Sequence, residues 1–209
     1  VDATKEKLGP NESGVITLSE SITRRREPDA VHWIDDDTFA TANEGDYEDA
    51  DGVEGGSRGF TLFNVRGELE FDSGNAFERE VVRAGHYPEK RSGAKGIEPE
   101  GLEVATLGRR KLLFVGSERA NVVGVYDVTS GTPVFSQLLP TGVGPEGVRA
   151  IPSRGLLVVS AETDGLDDGF AVRSIVSVYK LESGEADYPM LVSEDVAGKP
   201  IPWLAISGL

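Results

Sequence analysis

The chain has 209 residues, and its 21 Lys plus Arg against 36 Asp plus Glu leave a formal net charge of −15. Such a field repels nucleic acid and anionic lipid and favours cations or cationic partners, so nucleic-acid binding is excluded. The absence of cysteine removes disulfides, thiolate zinc sites and cysteine nucleophiles, and no apolar run approaches the ~20 residues of a membrane-spanning helix.

With 26 Gly and 11 Pro, turn-forming residues are frequent enough to predict many short elements rather than a few long helices. The first 14 residues offer no apolar signal segment, and Val15-Ile16-Thr17-Leu18 reads as part of a strand unit over 15–27. Three longer units follow. The first, 28–98, starts at Pro28-Asp29-Ala30-Val31-His32-Trp33 and continues through Thr38 to Glu44 and Gly59 to Val65. The second, 99–144, starts at Pro99-Glu100-Gly101-Leu102-Glu103-Val104 and continues through Leu112 to Glu118, Val123 to Val128 and Val134 to Leu139. The third, 145–201, starts at Pro145-Glu146-Gly147-Val148-Arg149-Ala150 and continues through Leu156 to Glu162 and Ile175 to Leu181. The close, 202–209, opens a further unit. The apolar ending and the start without Met suggest a processed or excised piece of a longer protein.

Four short antiparallel strands in roughly 40–50 residues, repeated, is the spacing of β-propeller blades, and the fold class expected is all-β: a portion of one propeller with about four blades and an incomplete ring. A β-sandwich is the competing architecture. The recurring Pro-Glu-Gly before an apolar strand, a turn and a second apolar strand ending in Glu favours the propeller. Open sheet edges would otherwise be exposed, so the remaining blades are expected from the parent chain or a second polypeptide. Asn75 to Ala84 is the best helical candidate.

These residues carry a resemblance. Pro28-Asp29-Ala30-Val31, Thr41-Ala42-Asn43-Glu44-Gly45-Asp46-Tyr47, Glu98-Pro99-Glu100-Gly101-Leu102 and Gly144-Pro145-Glu146-Gly147-Val148 resemble the choice-of-anchor I type of exported bacterial β-propeller. The ending Pro200 to Leu209 is similar to the opening of the esterase-like phytase domain family. The resemblance implies an extracellular or periplasmic propeller, often fused within a longer chain, and the phytase name implies phosphoester hydrolysis.

The densest polar stretch, Asn43 to Gly52, places Glu44, Asp46, Glu48, Asp49 and Asp51 on a Gly-rich loop. Hard oxygen donors on a pliable loop suit Ca²⁺, which takes 6–8 oxygens; a solvated acidic loop is the plainer reading. Glu162 and Asp164 recur at the same place in the third repeat, so Glu44, Asp46, Asp49, Asp51, Glu162 and Asp164 are the candidate metal ligands. Glu100, Glu118 and Glu146 occupy repeat-matched positions that converge on the central axis of a propeller, where like charges raise one another's pKa unless a cation intervenes. Arg109, Arg119, Arg149 and Arg154 are the available counter-charges. For Glu100 and Glu146 the favoured reading is that they accept backbone N–H bonds and tie neighbouring units together.

Catalytic motifs are absent. His32 falls in the innermost strand of its unit, in a structural role, and His86 in an exposed loop; two histidines without thiols do not make a catalytic zinc site. No Gly-x-Ser-x-Gly elbow occurs. Gly142 to Gly147 matches Gly-x-Gly-x-x-Gly, but a strand rather than a helix follows, so it is not a nucleotide fingerprint. The function expected is a Ca²⁺-stabilised exported scaffold or binding module within a larger phytase-like protein, with no assigned catalytic residue and no membrane span in this segment. A metal-dependent phosphoesterase is the alternative.

Overall fold

The computed structural model describes residues 25–44, 50–52, 57–92, 95–166, 169, 171–184 and 190–203. The expected strand at 15–18 and the close at 204–209 lie outside them.

The architecture is all-β, built from consecutive antiparallel sheets with one short α-helix among the described residues. The first sheet runs β1 (Pro28–Trp33), β2 (Thr38–Asn43), β3 (Gly59–Asn64) and β4 (Leu69–Asp72) in chain order. Helix α1 (Ala76–Arg83) follows, at the position the sequence suggests. Its Phe77, Val81 and Val82 share one buried face, and Glu78 in the first turn and Arg83 in the last complement the helix dipole. The second sheet is β5 (Pro99–Leu107), β6 (Arg110–Ser117), β7 (Val122–Asp127) and β8 (Val134–Pro140). The third, β9 (Pro145–Ile151), β10 (Leu156–Ala161) and β11 (Ile175–Lys180), has three strands among the described residues. The chain then returns to α1 as a hairpin, β12 (Asp195–Val196) and β13 (Lys199–Pro200). There Arg83 pairs with Asp195 at 2.7 Å, and the Trp203 indole Nε1 donates to the Arg83 carbonyl at 2.8 Å.

The second sheet is packed on both faces. Leu113, Val115 and Tyr126 join Ala40, Phe60 and Leu62 of the first sheet, with Phe77 and Val81 of α1, in one apolar layer. Phe114, Val123 and Val125 join Leu157 and Val159 of the third sheet in another. Alternating side chains of each strand therefore serve two neighbours, which explains why Leu112 to Val115 reads as an unbroken apolar run. The first strands of the sheets meet: β5 packs against both β1 and β9. Gly101 makes this approach feasible, since a Cβ there would sit 3.1 Å from Val148 Cγ2 and 3.3 Å from the Glu146 carbonyl oxygen.

The repeat extends to backbone detail. Pro28 pairs with Asn43, Pro99 with Ser117 and Pro145 with Ala161, and in each case the next residue is skipped in the register. Asp29, Glu100 and Glu146 are thus the extra residues of three equivalent β-bulges, a device that re-aims a side chain. The residue before each proline has a positive φ: Glu27 at 45°, Glu98 at 46° and Gly144 at 68°.

Candidate functional site

The bulges bring carboxylates together. One oxygen each from Glu100, Glu118 and Glu146 lie within 4.8 Å of one another, and so do one each from Glu44, Glu98 and Glu100. Glu44 and Glu118 follow the last residues of β2 and β6, beside the bulges, and the Glu118 amide donates to the Glu98 carbonyl at 3.0 Å. Three cations face the cluster. Arg119 Nε donates to Glu98 at 2.9 Å, its Nη1 lies 2.5 Å from Glu118, Arg91 also pairs with Glu98, and Lys95 donates to Glu44 at 2.8 Å. Among the described residues, five carboxylates (Glu44, Glu98, Glu100, Glu118 and Glu146) face these three cations. A cleft of about 490 Å³ lined by Arg25, Glu27, Pro28, Asp29 and Glu44 adjoins the cluster.

Burial, the hydrogen bond to Glu118 and the charges of Glu118, Glu44 and Glu146 push the Glu100 pKa up to about 9. Glu118 is raised chiefly by burial, with Glu98 adding to it and Arg119 opposing, and Glu146 is raised by burial and by Glu162 and Asp29. These groups hold protons more tightly folded than unfolded, so their contribution to stability is full below the ordinary carboxylate range and is lost as pH rises toward about 9. In the presence of chelator, the melting temperature of the protein relative to a Glu100→Gln variant is expected to fall across pH 5–9 (roughly the window those values define). Parallel melting curves for the two proteins would contradict it.

A second bridge joins the sheets farther along the same strands. Glu103 of β5 is buried, with Oε1 3.4 Å from His32 Nε2 of β1 and Oε2 3.3 Å from Arg149 Nη1 of β9. His32 thus serves the structural role expected of it.

The sequence-matched positions Glu100, Glu118 and Glu146 converge, and Glu44 joins them. Glu162 is exposed and reaches the group through its charge on Glu146. Asp164 is engaged elsewhere: it accepts from the Leu166 amide at 3.2 Å and pairs with Arg173 at 2.9 Å. Asp51 is exposed. Asp46 and Asp49 lie outside the described residues. Glu100 faces Glu118 and Glu146 across the cluster, an arrangement different from the tie through backbone N–H groups favoured for it in the sequence. Of the anticipated counter-charges, Arg119 faces the cluster, Arg149 pairs instead with Glu103, and Arg109 and Arg154 are exposed. His86, read as an exposed loop residue, is half-buried and donates from Nδ1 to the Ala120 carbonyl at 3.1 Å. Glu98, Glu103, Arg91 and Lys95 were not singled out in the sequence. The signal for Glu98 was its place before Pro99, matched by Glu27 before Pro28.

Residues 51–131 match the family model of the choice-of-anchor I domain. Among solved structures, the chain is similar to hydrazine synthase of Kuenenia stuttgartiensis at 17% identity and a TM-score of 0.42, covering 71% of this chain and 33% of that one. The chain thus spans about a third of that structure's length. No curated protein matches. No helix among the described residues is long and apolar enough to cross a membrane.

Proposed function

We propose that the three sheets are consecutive blades of a β-propeller portion of an exported protein, acting as a binding or scaffold module whose carboxylate cluster holds Ca²⁺. The observation that carries this is the convergence of Glu100, Glu118 and Glu146, with oxygens within 4.8 Å of one another. That separation is one a Ca²⁺ ion with oxygens at ~2.3–2.6 Å can span, and the donor set is all hard carboxylate oxygen. Glu98, held by two arginines, and Glu44, held by Lys95, would shape the site, while Glu118 would exchange its contact with Arg119 for the ion. Waters would complete the shell.

The meeting of β1, β5 and β9 supports the radial arrangement, with further blades contributed by the parent chain or another polypeptide. The match to the choice-of-anchor I domain supports an exported, extracellular or periplasmic setting. Arg91, Arg119 and Lys95 each neutralise a carboxylate of the cluster instead of forming an anion cradle, so a scaffold is favoured over a phosphoesterase. Thermal melting tests the reading. Ca²⁺ is expected to raise the melting temperature over chelator, by several degrees for a site filled at ~100 times its dissociation constant, and Glu118→Gln should abolish most of the increase. Identical melting with Ca²⁺ and chelator would remove calcium from the account.

A further inference from the structure

Helix α1 ends in a surface that a later segment of the same chain occupies. Carbonyls in the last turn of a helix have no intrahelical donor and must find one elsewhere. Three are met by the residues that follow: the Ala84 amide donates to the Glu80 carbonyl at 3.0 Å, Gly85 to Val82 at 3.1 Å and His86 to Val81 at 3.0 Å. The Arg83 carbonyl instead accepts from residues 190–203, through the Ser193 amide at 2.9 Å and the Trp203 indole Nε1 at 2.8 Å. The Arg83 guanidinium pairs with Asp195 at 2.7 Å while holding Glu80 at 3.0 Å. Arg79, one turn earlier on the same face, donates to the Gly198 carbonyl. Gly85, at φ 71°, completes the surface: a Cβ there would sit 2.7 Å from the Trp203 ring, so only glycine leaves the indole its place.

Residues 193–203 lie on this surface as a strap with little apolar anchorage. Pro200 is buried and Trp203 half-buried, whereas Val196 is 63% exposed and Ile201 47%. The hairpin within the strap pairs two residues with two, too few to be stable alone. Its hold on α1 is one partly exposed ion pair and hydrogen bonds that water can replace. Segments held in this way open at the low end of the stability range. Helix α1 stays behind, because Phe77, Val81 and Val82 are fully buried against the sheets.

We propose that the Arg79–Arg83–Gly85 surface of α1 is a docking site for a peptide carrying a carboxylate and an indole, with residues 193–203 as its displaceable intramolecular occupant. The carboxylate goes to the Arg83 guanidinium, a charge-assisted contact. The indole lies over Gly85 with its N–H on the Arg83 carbonyl, and a main-chain carbonyl of the peptide meets Arg79. Two arginines on one helix face, in a chain of net charge −15, select an acidic segment over a basic one. The carboxylate cluster takes no part, so calcium binding neither supports nor opposes this site.

The probe is a fluorescently labelled peptide with the sequence of residues 190–203, titrated against the full chain by anisotropy. Asp195→Asn together with Trp203→Ala, both on the strap and outside the packed core, vacates the site, and cooperative melting of this double variant checks that the sheets are intact. The peptide is expected to bind the double variant, and to bind the unaltered chain about tenfold more weakly or worse, since the attached strap competes at the ~mM effective concentration of a short linker. A peptide carrying the same two substitutions should lose about tenfold on the double variant, the scale of a charged hydrogen bond. Hydrogen exchange of the unaltered chain reads the opening without any variant: the Ser193 amide should exchange well before the amides of β6 and β7. No binding to the double variant, equal binding of the two peptides, equal binding to the two chains, or a Ser193 amide as protected as those of β6 and β7 overturns the inference.

Discussion

Phe60→Ala is expected to lower the unfolding free energy by about 3–5 kcal/mol, the range for emptying an aromatic side chain from a packed core. Phe60 is fully buried between the first and second sheets. Its ring lies 4.6 Å from Tyr126 of β7 and 5.7 Å from Phe71 of β4, measured between centroids. It therefore joins three strands from two sheets, and the cavity left behind cannot collapse without moving one sheet relative to the other. Urea denaturation at equilibrium checks the loss. Because β1 and β5 are held in place by this layer, the same variant should bind Ca²⁺ more weakly although Phe60 is not one of the cluster residues.

Glu98→Ala has the second largest expected effect. Its carboxylate is completely buried and accepts from both Arg91 and Arg119. Removing a buried partner of an ion pair costs about 3–5 kcal/mol when the remaining charge is stranded. Here both arginines keep more than a third of their side-chain exposure, so the lower end, about 3 kcal/mol, is expected. Denaturant titration reads the loss, and a change below ~0.5 kcal/mol, the range of ordinary surface substitutions, would show that the pairing does not hold the β5 start in place. Glu98→Gln separates charge from shape, since it keeps the volume and the positive φ while releasing the arginines.

The repeat was legible in the sequence because each unit begins at a proline and its second strand ends in an acidic residue. Pro28, Pro99 and Pro145 mark the first residues of β1, β5 and β9, and Glu44, Glu118 and Glu162 follow the second strands. The helix falls within Asn75 to Ala84, where the structure shows Phe77, Val81 and Val82 on one buried face. What could not be read was the displacement of Asp29, Glu100 and Glu146 into bulges, since a skipped residue leaves the pattern of apolar side chains intact. Glu98 escaped for a related reason: an acidic residue in an acidic protein gives no sign of burial, and its partners Arg91 and Arg119 lie 7 and 21 residues away. The loop from Asn43 to Gly52 drew attention by its density of carboxylates. Of its described residues, Glu44 enters the cluster, because it follows the last residue of β2 next to the bulges.

The most direct measurement is the anomalous difference density of crystals grown with Ca²⁺, collected at long wavelength. One peak is expected among the carboxylate oxygens of Glu100, Glu118 and Glu146, at ~2.3–2.6 Å from them. A map with no peak there, and Glu100 within hydrogen-bond distance of Glu118, would mean that a shared proton rather than a metal ion stabilises the cluster.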